Sequence, residues 1–238
     1  MLAVANDTFR LLTFRTTREE FLAFDRRHLA FGLLLTWLVG IGRYWDNPRA
    51  EFLQHLGVGS VVYVFVLALF LLLFIAPLEA RDRSYFRILT FVSLVSPPAV
   101  LYAVPVEKFV SMGTANMLNA WFLLVVATWR VALLLFALLR FFSMGVLSAV
   151  TATFLPLGLI VLGLASLNLE RAVFNIMGGF TEPTPNDSAY VVLLIILYVS
   201  ILLSPVLLIA YLALVVKKRR NRNGISNVKD ESNDKTGR

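Results

Sequence analysis

Between Val58 and Leu78 the chain runs for 21 residues without a charged side chain. At about 1.5 Å of rise per residue, a helix of this length spans the ~30 Å hydrocarbon core of a bilayer. Inside lipid every backbone N–H and C=O must be satisfied within the protein, so such a stretch folds as a helix. Similar runs recur at about Leu29–Gly42, Phe86–Val106, Asn116–Leu139, Val146–Leu167 and Ala189–Val216. The expected fold is therefore all-α: a polytopic transmembrane helical bundle of about six spans, with short interfacial helices. Composition agrees, with 58% hydrophobic residues, 16% charged residues and a mean hydropathy of +0.77. A soluble domain is nearer half apolar and a quarter charged. Three segments follow: a basic amphipathic lead-in (1–28), a six-span membrane domain (29–216) and a basic tail (217–238) expected to be disordered.

Local signals mark the element ends. Thr17-Arg18-Glu19-Glu20 reads as a capping box opening a short helix. Phe21, Leu22 and Phe24 lie on one side of that helix, which suits it to lie on the bilayer surface. Asn47 and Pro48 suit the cap and first position of a second interfacial helix, Pro48–Leu56, with Phe52, Leu53 and Leu56 on its apolar side and Gly57 as its stop. The first span is short and must borrow length from Arg26–His28 or Arg43–Trp45. No apolar run precedes Phe31, so this span is expected to act as an uncleaved signal-anchor. Prolines interrupt the later spans at Pro97-Pro98, Pro156 and Ser204-Pro205.

Orientation follows from the positive-inside rule. With the N-terminus inside, the four inner segments hold 17 of the 22 Lys and Arg residues (five, three, one and eight), and the outer segments hold four. Both termini are then cytoplasmic, and a bacterial inner membrane is the expected location. The net charge of +7 is accounted for by topology and by attraction to anionic lipid on the cytoplasmic side, so no nucleic-acid partner is implied. The other partners expected are a membrane protein or a second copy of the chain. A small-residue stripe of Gly145, Ala149 and Thr153 suits close helix contact. The chain has no Cys and two His, His28 and His55, expected on opposite sides of the membrane. A thiolate site and a shared His metal site are excluded, and no cofactor is expected.

Arg130 is the most informative single residue, because an arginine at the bilayer centre costs at least about 2.5–3.5 kcal/mol and must find partners. Pro97 and Pro98 lack an N–H, which leaves the carbonyls of Ser93 and Leu94 without their helical donors. Arg130 is expected to donate to those carbonyls and to Ser93 or Ser96. This is either structural glue or a site for an anionic group. A second candidate is the outer rim, where Arg43, Tyr44, Trp45, Asp46, Glu107, Lys108, Asn168, Glu170 and Arg171 fall at the ends of three spans. As structure, they form an aromatic belt with snorkelling charges. As chemistry, Asp46, Glu107 or Glu170 would act as acid or base on lipid headgroups.

The stretch Gly40-Ile41-Gly42-Arg43-Tyr44-Trp45-Asp46-Asn47-Pro48, with Ser96-Pro97-Pro98 and Pro105-Val106-Glu107-Lys108-Phe109, resembles a group of bacterial multispan inner-membrane proteins. The likeness covers about residues 20–180, and it implies a membrane location and no particular activity. A distant analogy is the Yip1-like membrane domain, with a cytoplasmic amphipathic lead-in followed by about five packed spans. The leading expectation is a non-enzymatic scaffold or accessory subunit. The alternatives are a small transporter or lipid-handling protein that binds an anion near Arg130, and a membrane enzyme at the outer rim.

Overall fold

The computed structural model describes residues 1–45, 52–78, 82–169 and 188–236, and among these there is no strand. The α-helices in order are α1 (Leu2–Leu12), α2 (Arg18–Leu22), α3 (Arg26–Gly42), α4 (Phe52–His55), α5 (Val58–Ile75), α6 (Tyr85–Leu94), α7 (Met112–Arg140), α8 (Val146–Ser166) and α9 (Ser188–Thr236). Two 3-10 segments, Pro97–Ala103 and Val106–Lys108, separate α6 from α7. The fold is an all-α membrane-embedded bundle. Four helices (α5, α7, α8 and α9) are long and apolar enough to cross a membrane, and a fifth crossing arises if α6 and Pro97–Ala103, bent by 41°, count as one. That is fewer than the six expected. The difference is α3, whose 17 residues extend only about 25 Å at 1.5 Å each, short of the ~30 Å core.

Local chemistry sets most of the boundaries. The Thr17 side chain accepts from the Glu20 amide and Glu20 accepts from the Thr17 amide, which completes the expected capping box. Asp25 forms a second box with His28 and starts α3 at Arg26. Ser84 caps α6 through the Arg87 amide. Gly57 ends α4 and precedes α5 with a φ of +65°, a left-handed conformation that a Cβ disfavours. Of the second interfacial helix, α4 is what falls within the described residues. Phe52 and Leu53 are exposed, as expected of its apolar side, and Asn47 and Pro48 lie outside the described residues.

Three expectations are corrected. The helix after Thr17 does not present its aromatic side to the bilayer surface. Phe21 is buried at the end of the bundle, stacked on Phe141 at 4.3 Å and edge-on to Phe91 and Phe142. Arg18 fixes α2 there by donating to the Phe141 carbonyl and pairing with Asp82 at 2.6 Å. Second, the tail does not lose its structure at Lys217, since α9 continues to Thr236. Once a helix is nucleated, each further residue adds one hydrogen bond, and no proline follows Pro205 to stop it. Third, Gly145 is an exposed cap with open space around it, whereas Ala149 and Thr153 are fully buried. The small-residue contact of α8 lies further along, where Gly158 faces Ser204 of α9.

Packing is closest around α3. A Cβ on Gly32 would stand 2.5 Å from the Ser93 hydroxyl and 3.0 Å from the Leu94 amide nitrogen. A Cβ on Gly40 would stand 2.7 Å from the Ser60 hydroxyl. Glycine therefore lets α3 approach α6 and the start of α5 almost backbone to backbone. On the side where α6 breaks, Pro97–Ala103 lies between α3 and α7.

Candidate functional site

The break after α6 builds the first site. The α6 ladder ends with the Val95 amide donating to Phe91, after which the chain tightens, with Ser96 N–H donating to Ser93 and Ala99 N–H to Ser96. This change from four-residue to three-residue spacing moves the carbonyl that lacks a donor. In 3-10 geometry the donor to Val95 would be Pro98, which has no N–H. Arg130 of α7 supplies it: its Nε donates to the Val95 carbonyl at 3.2 Å and its Nη2 to the Ser96 carbonyl at 3.4 Å. The expected partners were the Ser93 and Leu94 carbonyls together with Ser93 or Ser96; Ser96 is met, through its carbonyl, and Val95 takes the place of Ser93 and Leu94. Sequence reasoning assumed that the helical spacing persists through the prolines.

Ser93 and Ser96 are both buried beside this contact. The Ser93 carbonyl is occupied by Ser96 N–H and by the Thr36 hydroxyl, at 3.3 Å each. The Ser93 hydroxyl donates to Thr90 at 3.0 Å. Ser96 shares a 2.7 Å hydrogen bond with the Thr36 hydroxyl, which also donates to the Gly32 carbonyl. Thr36 therefore completes a polar knot linking α3, the break and α7. The sequence reading did not single it out. The available signal was its spacing, since Gly32, Thr36 and Gly40 recur every four residues along one face of α3. Towards the far end, Arg43, Tyr63 and Tyr102 lie near enough to Arg130 to interact with it electrostatically.

The rim is partly assembled. The Arg43 guanidinium lies 5.4 Å from the Tyr44 ring centre and 5.7 Å from that of Tyr102. Trp45 donates from Nε1 to the Ala103 carbonyl at 2.9 Å, and the Lys108 ammonium sits 4.7 Å from its ring centre. Each cation over a ring contributes about 0.5–1 kcal/mol where exposed and ~2 kcal/mol where water is excluded. The end of α3 is thereby attached to the two 3-10 segments. Asp46 and Glu170 lie outside the described residues, as does the side chain of Glu107, whose backbone belongs to the turn Val106–Lys108. Among the described residues no group of three His, Cys, Asp or Glu is placed to hold a metal ion. His28 is held between two carboxylates, with Nδ1 at 2.9 Å from Asp25 and Nε2 at 3.3 Å from Asp7, and it joins α1 to α3.

No known protein family, curated protein or solved structure matches the chain.

Proposed function

We propose that the protein is a non-enzymatic integral membrane scaffold or accessory subunit, placed in a bacterial inner membrane with both termini in the cytoplasm. The observation that carries this reading is the use made of Arg130. Its guanidinium closes two carbonyls at the proline break, at 3.2 and 3.4 Å, as a helix-joining group does. The rim works in the same way, as aromatic rings and cations that fasten α3 to the 3-10 segments. The orientation rests on the Lys and Arg asymmetry between inner and outer segments, and the bacterial setting on the resemblance of the Gly40–Pro48 stretch. Partners consistent with it are anionic lipid on the cytoplasmic side and another membrane protein or a second copy.

A second reading is favoured by the surroundings of Arg130. A guanidinium has five donors in a fixed fork, and two of them meet neutral carbonyls that leave its charge uncompensated. With Arg43, Tyr63 and Tyr102 nearby, this corner suits an anionic group of a lipid or metabolite. The enzyme reading needs two of Asp46, Glu107 and Glu170 within hydrogen-bonding reach of one pocket at the rim. Purification in native lipid followed by mass spectrometry separates these readings. A stoichiometric protein partner, retained by Arg130→Leu when its folded yield is recovered, supports the scaffold. A discrete anionic lipid or metabolite that is lost in Arg130→Leu, at unchanged folded yield, overturns it in favour of the anion site.

A further inference from the structure

The N-terminal helix α1 carries two apolar arcs. Val4, Thr8 and Leu11 form one and are buried against the bundle. Leu2 and Phe9, one helical face seven residues apart, form the other and are exposed at 90% and 60%. Asn6, Asp7 and Arg10 occupy the remaining side.

The two ends of α1 are built differently. At its start no side chain caps the free amides, and Met1 and Leu2 are open. At its end all of the last four carbonyls have donors. Phe9 accepts from the Thr13 amide and hydroxyl, and Arg10 from the Arg15 amide at 2.8 Å. Leu11 accepts from the Phe14 amide, and Leu12 from the indole N–H of Trp129 at 3.0 Å. The paired Arg15-to-Arg10 and Phe14-to-Leu11 bonds are a Schellman cap, which places Phe14 in the left-handed region at a φ of +60°. A side chain there costs about 1–2 kcal/mol, and the Phe14 ring packs edge-on to Phe136 at 5.5 Å. An end in water does not need this closure, whereas an end in hydrocarbon does.

Depth agrees with this asymmetry. Trp129 and Phe136 lie eleven and four residues inside the Arg140 end of α7, about 16 and 6 Å along its axis at 1.5 Å per residue. Asp7, by contrast, meets His28 in the first turn of α3. The helix thus descends from the bundle end towards the level of Trp129. Phe9 and Phe14 are exposed, as are Trp121, Val125 and Trp129 of α7, and the end of α1 meets α7 through the contacts of Leu12 with Trp129 and of Phe14 with Phe136.

We propose that α1 is a re-entrant membrane segment that enters the bilayer with its C-terminal end foremost, one arc against the bundle and the Leu2–Phe9 arc against lipid acyl chains. The chain then returns through residues 13–17 to the surface, where Arg18 meets Phe141 and Asp82.

The chain contains no cysteine, so single-cysteine spin labels report without background. Labels at Asn6, Phe9 and Phe14 of the full chain are read in phosphatidylethanolamine–phosphatidylglycerol nanodiscs by collision with oxygen and with a water-soluble nickel chelate. The expected result is an oxygen-to-nickel ratio that rises from Asn6 to Phe9, with Phe14, which packs on Phe136 after the chain has turned back, shallower than the Leu12 end beside Trp129. The Phe9 label decides the matter where Phe14→Cys fails to fold. Nickel access at Phe9 equal to that at Asn6 overturns the proposal, because the helix then lies in water. Protection from both reagents overturns it too, because a protein surface then covers the arc.

Discussion

Substituting Gly32→Ala tests the contact on which the polar knot depends. The new Cβ would stand 2.5 Å from the Ser93 hydroxyl, 3.0 Å from the Leu94 nitrogen and 3.0 Å from the Ser93 carbonyl carbon. The hydroxyl can turn aside, but the two backbone atoms belong to α6 and cannot, so α3 and α6 must separate. Overpacking of this kind costs about 1–3 kcal/mol. If the separation also opens the 2.7 Å Thr36–Ser96 hydrogen bond, a further ~1 kcal/mol is lost. Gly163→Ala is the control. Its Cβ would meet nothing within 4 Å, so it reports the helix-propensity gain of alanine, about 0.8–1 kcal/mol. The difference between the two variants, about 1–4 kcal/mol, corresponds to roughly one to three powers of ten in the folding equilibrium. Reversible unfolding in mixed micelles, followed by tryptophan fluorescence, measures it. Agreement of Gly32→Ala with the control to within about 0.5 kcal/mol, the ordinary scatter of surface substitutions, would show that α3 and α6 do not approach this closely.

Phe21→Ala should destabilise the bundle by about 3–5 kcal/mol in the same assay, as expected for a buried aromatic; a loss below ~1 kcal/mol would return α2 to the membrane surface. Lowering pH should loosen the lead-in. Glu20 is held below its ordinary carboxylate value first by the Thr17 backbone amide and also by Arg10, and Asp25 first by its hydrogen bond to His28. Because both folded values lie below the unfolded ones, the caps stabilise above about pH 4 and that contribution disappears as pH falls through the folded values. Amide hydrogen exchange at Thr17, which donates to the Glu20 carboxylate, and at Arg27, which donates to Asp25, corrected for the intrinsic pH dependence, should lose protection there, and unchanged protection down to pH 2 would refute the assignment.

Local and one-dimensional properties were readable from the sequence. An uncharged run long enough to cross a bilayer has few alternatives to a helix, so α5, α7, α8 and α9 followed from hydropathy alone. The Thr17–Glu20 cap and the stop at Gly57 depend on residues within one turn, and the sequence named both. That Arg130 would close carbonyls at the proline break also followed, because a cation in lipid and a carbonyl without a donor both require partners. Which carbonyls they are was decided by the break itself, where Arg130 reaches Val95, which Pro98 leaves without a donor in 3-10 spacing, and Ser96, which also accepts from Ala99 N–H. Thr36 reaches Ser96 from 60 residues away, and Trp129 reaches Leu12 from 117. Spacing along the chain carries no trace of such partners. Amphipathicity likewise shows that α1 and α2 each need a cover for their apolar sides. Whether that cover is protein or lipid depends on what lies opposite, and for Phe21 it is Phe141.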